Sequence, residues 1–152
     1  MIRKLQKTDI DRIIEIWLDC NLKAHEFIPE RYWRENADAV KEMLPQAEVY
    51  VYEEENLGEM QGFIGMNGEY IEGIFVWNEN QSKGIGKKLL DYVKRIKKKI
   101  YLSVYQKNQR ALDFYQRENF KIQCENIDEN TGEKEYYCNY NAKREDDKNY
   151  AS

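Results

Sequence analysis

The chain has 152 residues, 41% hydrophobic and 34% charged, with two prolines and a formal net charge of −4. A chain of that length buries roughly two-thirds of its unfolded surface, so one domain around one real core is expected, and the composition excludes a disordered polymer. The negative balance argues against a protein whose main task is gripping nucleic-acid phosphates. Cys20, Cys124 and Cys138 are odd in number, widely spaced and free of a C-x-x-C pair, which points away from a disulfide framework and from a metal site. The N-terminus, Met1-Ile2-Arg3-Lys4-Leu5-Gln6, runs straight into polar residues and no segment approaches a membrane span in length. A cytoplasmic location without membrane association is therefore expected.

Met1 to Leu5 reads as a short strand, and Thr8-Asp9 as the N-cap of a helix carrying Ile10, Ile13, Ile14, Trp17, Leu18 and Leu22 on one face. Pro29 suits a first helical position, and Tyr32, Trp33, Ala37, Val40 and Leu44 trace a second helix that stops at Pro45. Three strand-forming runs follow, Val49 to Tyr52, Phe63 to Met66 and Ile71 to Trp77, with Gly58 and Asn67-Gly68 as turns. They predict an antiparallel meander. Beyond a polar loop from Asn78 to Lys83, the apolar period of Ile85, Leu89, Leu90, Val93 and Ile96 predicts a helix, and Ile100 to Tyr105 a strand. A last helix over Gln109 to Glu118 precedes strands near Phe120 to Ile127 and Tyr136 to Tyr140, turned at Asn130-Thr131-Gly132. The expected organisation is a single α+β domain over residues 1–142, with a charged, frayed tail over 143–152.

Gln81-Ser82-Lys83-Gly84-Ile85-Gly86-Lys87 lies between a predicted strand and a predicted helix. Glycines there permit close backbone approach, and the helix start adds roughly half a positive charge, so an anion such as phosphate is a sensible ligand. The loop is neither a P-loop, which needs four residues between its glycines, nor a dinucleotide fingerprint, because Leu89 stands where a third small residue belongs. The basic run from Lys83 to Lys99, eight cations against Asp91, reads mainly as the solvated face and C-terminal turn of the helix.

The spacing Gln81-x-x-Gly84-x-Gly86, five residues after Val76, resembles the Q/R-x-x-G-x-G/A loop of the GNAT family of acyl-CoA-dependent N-acetyltransferases. A second segment, Asn108-Gln109-Arg110-Ala111-Leu112-Asp113-Phe114-Tyr115, with Phe120 after it, resembles that family's N-x-x-A-x-x-F-Y run. The resemblance spans about residues 1 to 140, because the helix, helix, meander order also agrees. It implies a mixed, mostly antiparallel sheet of six to seven strands, with a cofactor cleft splayed between the fourth and fifth. It further implies acetyl-CoA as donor, with backbone groups of Ile74, Phe75 and Val76 pairing with the pantetheine arm. Gln81, Ser82, Lys83, Gly84, Ile85, Gly86 and Lys87 would cradle the pyrophosphate, Asn108 would bond the pantetheine, and Tyr115 would protonate the departing thiolate.

Acyl transfer needs a neutral amine, and a lysine-like amine is neutral in only about one molecule in 2,500 at pH 7. Many family members carry a glutamate five residues before the asparagine, where this chain has Ser103. Glu72, placed by strand alternation on the face of Ile74 and Val76, is the expected substitute base, with a water chain as an alternative. Glu69 and His25, the only histidine, are candidates for substrate contact. The cysteines have no basic neighbour, so direct attack without an acyl-enzyme is expected. Glu26, Glu30, Glu53 to Glu55, Glu69 and Glu72, interleaved with Tyr32, Trp33, Tyr50 and Tyr70, suit a cationic small-molecule or peptide amine. Two alternatives stand beside the enzyme: an acyl-CoA-binding sensor that lost turnover with the glutamate at Ser103, and an interaction domain whose exposed aromatics form a subunit interface, such as that of a homodimer.

Overall fold

The computed structural model describes residues 1–56, 58–77, 80–81 and 83–142. Strand β1 (Ile2–Lys4) and a 3₁₀ turn (Lys7–Asp9) lead into helices α1 (Ile10–Ala24) and α2 (Glu30–Met43), and a second 3₁₀ turn (Leu44–Gln46) ends the helical pair. The meander is β2 (Glu48–Glu53), β3 (Met60–Asn67) and β4 (Tyr70–Val76). Then come α3 (Ile85–Ile96), β5 (Lys99–Tyr105), α4 (Gln109–Arg117), β6 (Lys121–Ile127) and β7 (Lys134–Asn141). Every predicted element is present. Two cap assignments change: Pro29 is the N-cap of α2 rather than its first residue, and the Asp9 carboxylate does not cap α1 but accepts from Gln6 N and Arg3. The charge-assisted pair with Arg3 is the stronger partner. The tail over 143–152 lies outside the described residues.

The seven strands form one sheet in the order β1-β2-β3-β4-β5-β7-β6, antiparallel throughout except where β4 meets β5. The sheet separates two cores. On one face α3 and α4 bury Leu89, Leu90, Val93 and Leu112 against Ile64, Ile71, Ile100 and Leu102. On the other, Ile13 and Ile16 of α1 meet Val49, Val51 and Phe63. Burial of each such side chain contributes roughly 1.5–3 kcal/mol. Much of the basic run is used internally: Lys87 pairs with Glu118, Lys97 with Glu48, and Lys94 lies 4.4 Å from the Tyr140 ring centroid. No helix among the described residues is long and apolar enough to cross a membrane, and no cluster of potential metal ligands occurs among them.

Candidate active site

Strands β4 and β5 pair only at Tyr70–Tyr101 and Ile71–Leu102, then part. The gap opens into a cleft of about 1330 Å³ that runs from the α3 N-terminus, past Tyr115, to a wall of aromatic and acidic side chains. Alternation decides which backbone groups face the gap. Trp77 N donates to Gln61 O of the neighbouring segment at 2.8 Å, so Phe75, two residues earlier, turns its backbone toward β3 as well, while Ile74 and Val76 turn theirs to the cleft. The expectation for Phe75 is corrected accordingly. Its ring stacks on Phe63 at 4.9 Å and folds over Gly73, where a Cβ would overlap it.

The loop end is made of main chain. Gly84 caps α3 in the left-handed conformation, φ 81°, which glycine adopts without steric cost. The first helical bond there is Lys88 N to Gly84 O, so the amides of Ile85, Gly86 and Lys87 have no partner within the helix and no side-chain cap. Those residues line the cleft, and a Cβ at Gly86 would sit 3.7 to 4.0 Å from Phe114, Val76 and Ile74. Gln81 Nε2 donates to Val76 O at 3.0 Å, while its Oε1 accepts from Arg110 at 3.0 Å, tying loop, strand and α4 together. Lys83 does not line the cleft, and Ser82 lies outside the described residues. Arg110 and Arg117 on α4, which sequence reasoning did not single out, do line it.

Midway, Tyr115 is 8% exposed, packed in the α3/α4 core against Phe120 and Phe114, and still lines the cleft. Burial pushes its phenol far above the usual tyrosine range, so it remains protonated at neutral pH. Cys20 also lines this region. Its Sγ–H donates to Val76 O at 3.2 Å, and burial, with Asp19, pushes the thiol up to about 11, so that it stands protonated at neutral pH.

Asn108 caps α4, accepting from Ala111 N at 3.2 Å. Its Nδ2 lies 3.2 Å from His25 Nε2, so the side chain already has a partner at each end, and His25 accepts with its Nδ1 protonated. The pantetheine contact expected of Asn108 thus competes with a cap and a histidine. His25 stacks on Trp33 at 5.3 Å and meets the edge of Tyr105 at 5.0 Å. Burial lowers its pKa to about 4, and its Nδ1 is buried without a partner.

At the far end, Tyr32, Trp33, Tyr70, Glu72, Tyr105, Asp128 and Glu135 share the wall. Glu72 reaches it by a different route from the one expected. The register jumps from Gly65–Gly73 to Met66–Ile71, a β-bulge that puts Ile71 in the same core as Ile74 and Val76. Glu72 is left beside Gly65, whose Cβ would lie 3.8 Å from that of Glu72, on the opposite face from Ile74 and Val76. Alternation therefore misassigned its face. Glu69 is exposed in the β3–β4 turn, its carbonyl held by Tyr101 N, and does not line the cleft. Tyr50 lies in the core, Glu53 pairs with Arg3 and Glu30 with Arg34, so they too leave the wall. Asp128 and Glu135, from the β6–β7 hairpin, were missed, because only strand pairing brings them to β5: Glu135 sits opposite Tyr105, whose hydroxyl donates to Asp128 at 2.5 Å.

A parallel splay between the fourth and fifth strands, with a glycine-capped helix aimed into it, defines the acyltransferase class, and the sequence profile of the acetyltransferase (GNAT) domain matches residues 45–122. The chain belongs to the GNAT family and is an acyl-CoA-dependent acetyltransferase. It is similar to the peptidyl-lysine N-acetyltransferase YiaC of Escherichia coli K12, 38% identical over 124 residues, covering 80% of this chain and 84% of that one. The solution structure of apo YjaB from Escherichia coli superposes with a TM-score of 0.83 at 21% identity, covering 94% of this chain and 98% of that one. The PaiA N-acetyltransferase of Thermoplasma acidophilum, solved in complex with coenzyme A, superposes with a TM-score of 0.76 at 19% identity, covering 93% and 98%.

Proposed function

We propose that the protein moves the acetyl group of acetyl-CoA onto a primary amine, and that this amine is the side chain of a lysine in a peptide or protein. The observation that carries this reading is the placement of Tyr115 between two unlike ends of one cleft. At one end, the free amides of Ile85, Gly86 and Lys87 and the positive end of α3 fit a pyrophosphate, and the cleft-facing backbone of Ile74 and Val76 fits an amide-bearing arm laid alongside β4. At the other, aromatic faces and carboxylates fit an alkylammonium group. The relatives named peptidyl-lysine N-acetyltransferases support lysine over other amines.

In the transfer, the amine nitrogen bonds to the thioester carbonyl carbon as the carbon–sulfur bond breaks. Tyr115 gives its phenolic proton to the sulfur, and burial, which raises its pKa, keeps the phenol protonated until then. The cleft-facing amide of Val76 is placed to stabilise charge on the carbonyl oxygen.

Thiol release should be followed with acetyl-CoA and a panel of lysine peptides, free lysine and polyamines, alongside calorimetric titration with acetyl-CoA. Release with the peptides, at higher kcat/KM than with small amines, is the expected result. Release with small amines alone would remove the peptide assignment. The absence of acetyl-CoA binding would remove the whole reading.

A further inference from the structure

We infer that Glu135 is the base that takes the proton from the incoming ammonium, directly or through one water, in a chain that has Ser103 on the neighbouring strand β5. The inference rests on the acetyltransferase reading and adds to it the catalytic group that no sequence pattern indicated.

Position comes first. Odd-numbered residues of β5 and their partners on β7 face away from the α3/α4 core, which takes Leu102, Val104 and Cys138 instead. Glu135, opposite Tyr105, is therefore on the face that His25 approaches from α1, half-buried in the cleft wall. Ser103 and Tyr105 flank the same patch.

Of the other four described carboxylates that line the cleft, three have partners and the fourth, Glu72, is exposed; Asp113 accepts from Gln109 Nε2 at 2.8 Å. Asp128 accepts from the Tyr105 hydroxyl and from Asn130 N, and Glu118 pairs with Lys87. Glu72 lies on the exposed bulge. Among the described residues, burial and the charge of Asp128 act on the Glu135 carboxylate, and no hydrogen bond or ion pair engages it. A half-buried carboxylate without a cation, near a second carboxylate, is more readily protonated than a solvated one. Burial first and the negative charge of Asp128 second raise its carboxyl above the ordinary glutamate range, toward the pH at which a base must both hold and release a proton. The groups sharing this wall are Asp128 of the hairpin, Tyr105 of β5, Tyr70 and Glu72 of β4, Tyr32 of α2 and His25 at the end of α1, with Lys107 drawn off to Glu133 at 3.2 Å. Tyr70 lies between the two sides: burial first, and then the charges of Glu72 and Glu135, raise its phenol.

The proton balance closes. The ammonium gives one proton to the Glu135 carboxylate, and the neutral nitrogen attacks the carbonyl carbon. As the carbon–sulfur bond breaks, the Tyr115 proton passes to sulfur. The second nitrogen proton restores the phenol, and Glu135 releases its own to solvent.

The test compares wild type, Glu135→Gln, Glu72→Gln and the double variant Ser103→Glu/Glu135→Gln. Each is measured for kcat/KM on a lysine peptide across pH, for acetyl-CoA affinity by calorimetry, and for carboxyl titration by carbon-13 NMR on the cofactor-free protein. Glu135→Gln should lose about a hundredfold in kcat/KM and its acidic limb, keep acetyl-CoA affinity within about twofold, and lack one carboxyl signal that titrates above the others. Ser103→Glu should restore about tenfold and a limb. Full activity with an unchanged limb in Glu135→Gln, or loss of the limb in Glu72→Gln instead, would overturn the assignment. Acetyl-CoA binding by wild type without acetylation of any amine would instead overturn the acetyltransferase reading, and this assignment with it.

Discussion

At the loop end of the cleft the lining polar groups are main-chain amides from one contiguous run, Ile85 to Lys87, while at the far end, which we propose takes the acceptor, they are side chains from separate elements: Tyr32 of α2, Glu72 of β4, Tyr105 of β5, and Asp128 and Glu135 of one hairpin. The loop end rests on two local features, the left-handed Gly84 and the open backbone at Gly86. The acceptor end depends on strand register, because moving β7 by one residue would turn Glu135 to the other face. Main-chain geometry is thus local and legible, and the meeting of side chains from distant elements is not.

Four substitutions would break or sharpen that contrast. Gly86→Trp drives an indole among Phe114, Val76 and Ile74, and should weaken acetyl-CoA binding more than a hundredfold by calorimetry, beyond the modest loss of stability that overpacking there costs. Unaltered affinity would mean that the loop end is not the cofactor site.

Tyr115→Phe keeps the ring in its core setting with Phe120 and should cost about a hundredfold in kcat without weakening acetyl-CoA binding. An equal loss in affinity would assign the hydroxyl to binding rather than to proton transfer.

His25 sharpens the comparison through stability. Its folded pKa, near 4, lies below the ordinary 6.5, so the unfolded chain binds the extra proton first. This group's contribution is fully present above pH 6.5 and is lost as pH falls toward 4. Between pH 7 and 5 wild type should lose about 2 kcal/mol relative to His25→Gln in denaturant titrations. Glu135 has the opposite sign, its raised carboxyl favouring the fold as pH falls, so only the difference between the two proteins isolates the histidine. Parallel curves would show that His25 is solvated.

The smallest effect is expected of Asp128→Asn. It removes the charge that helps to raise Glu135, and should move the acidic limb of kcat/KM to lower pH with a loss of only a few fold. An unmoved limb would uncouple the two carboxylates.

Sequence alone determined much of this protein. Helical period in Ile85 to Ile96, strand composition in the meander, and the spacings Gln81-x-x-Gly84-x-Gly86 and Asn108 to Tyr115 were enough for the element order, the family and the loop end. Those signals are local: periodicity, turn chemistry and a glycine dihedral are properties of a few adjacent residues. Tertiary structure decided the rest. Which face Glu72 occupies depended on a bulge set by pairing with Gly65 and Met66. That Phe75 turns its backbone away from the cleft depended on the ladder with β3, and the engagement of Asn108 on a histidine 83 positions earlier. The approach of Asp128 and Glu135 to Tyr105 followed from β7 inserting between β5 and β6. A one-residue change of register reverses a side chain's face without altering composition or period, and for that reason Asp128 and Glu135 could be placed in the wall only in the folded chain, beside Tyr32, Trp33, Tyr70 and Glu72 that the sequence names.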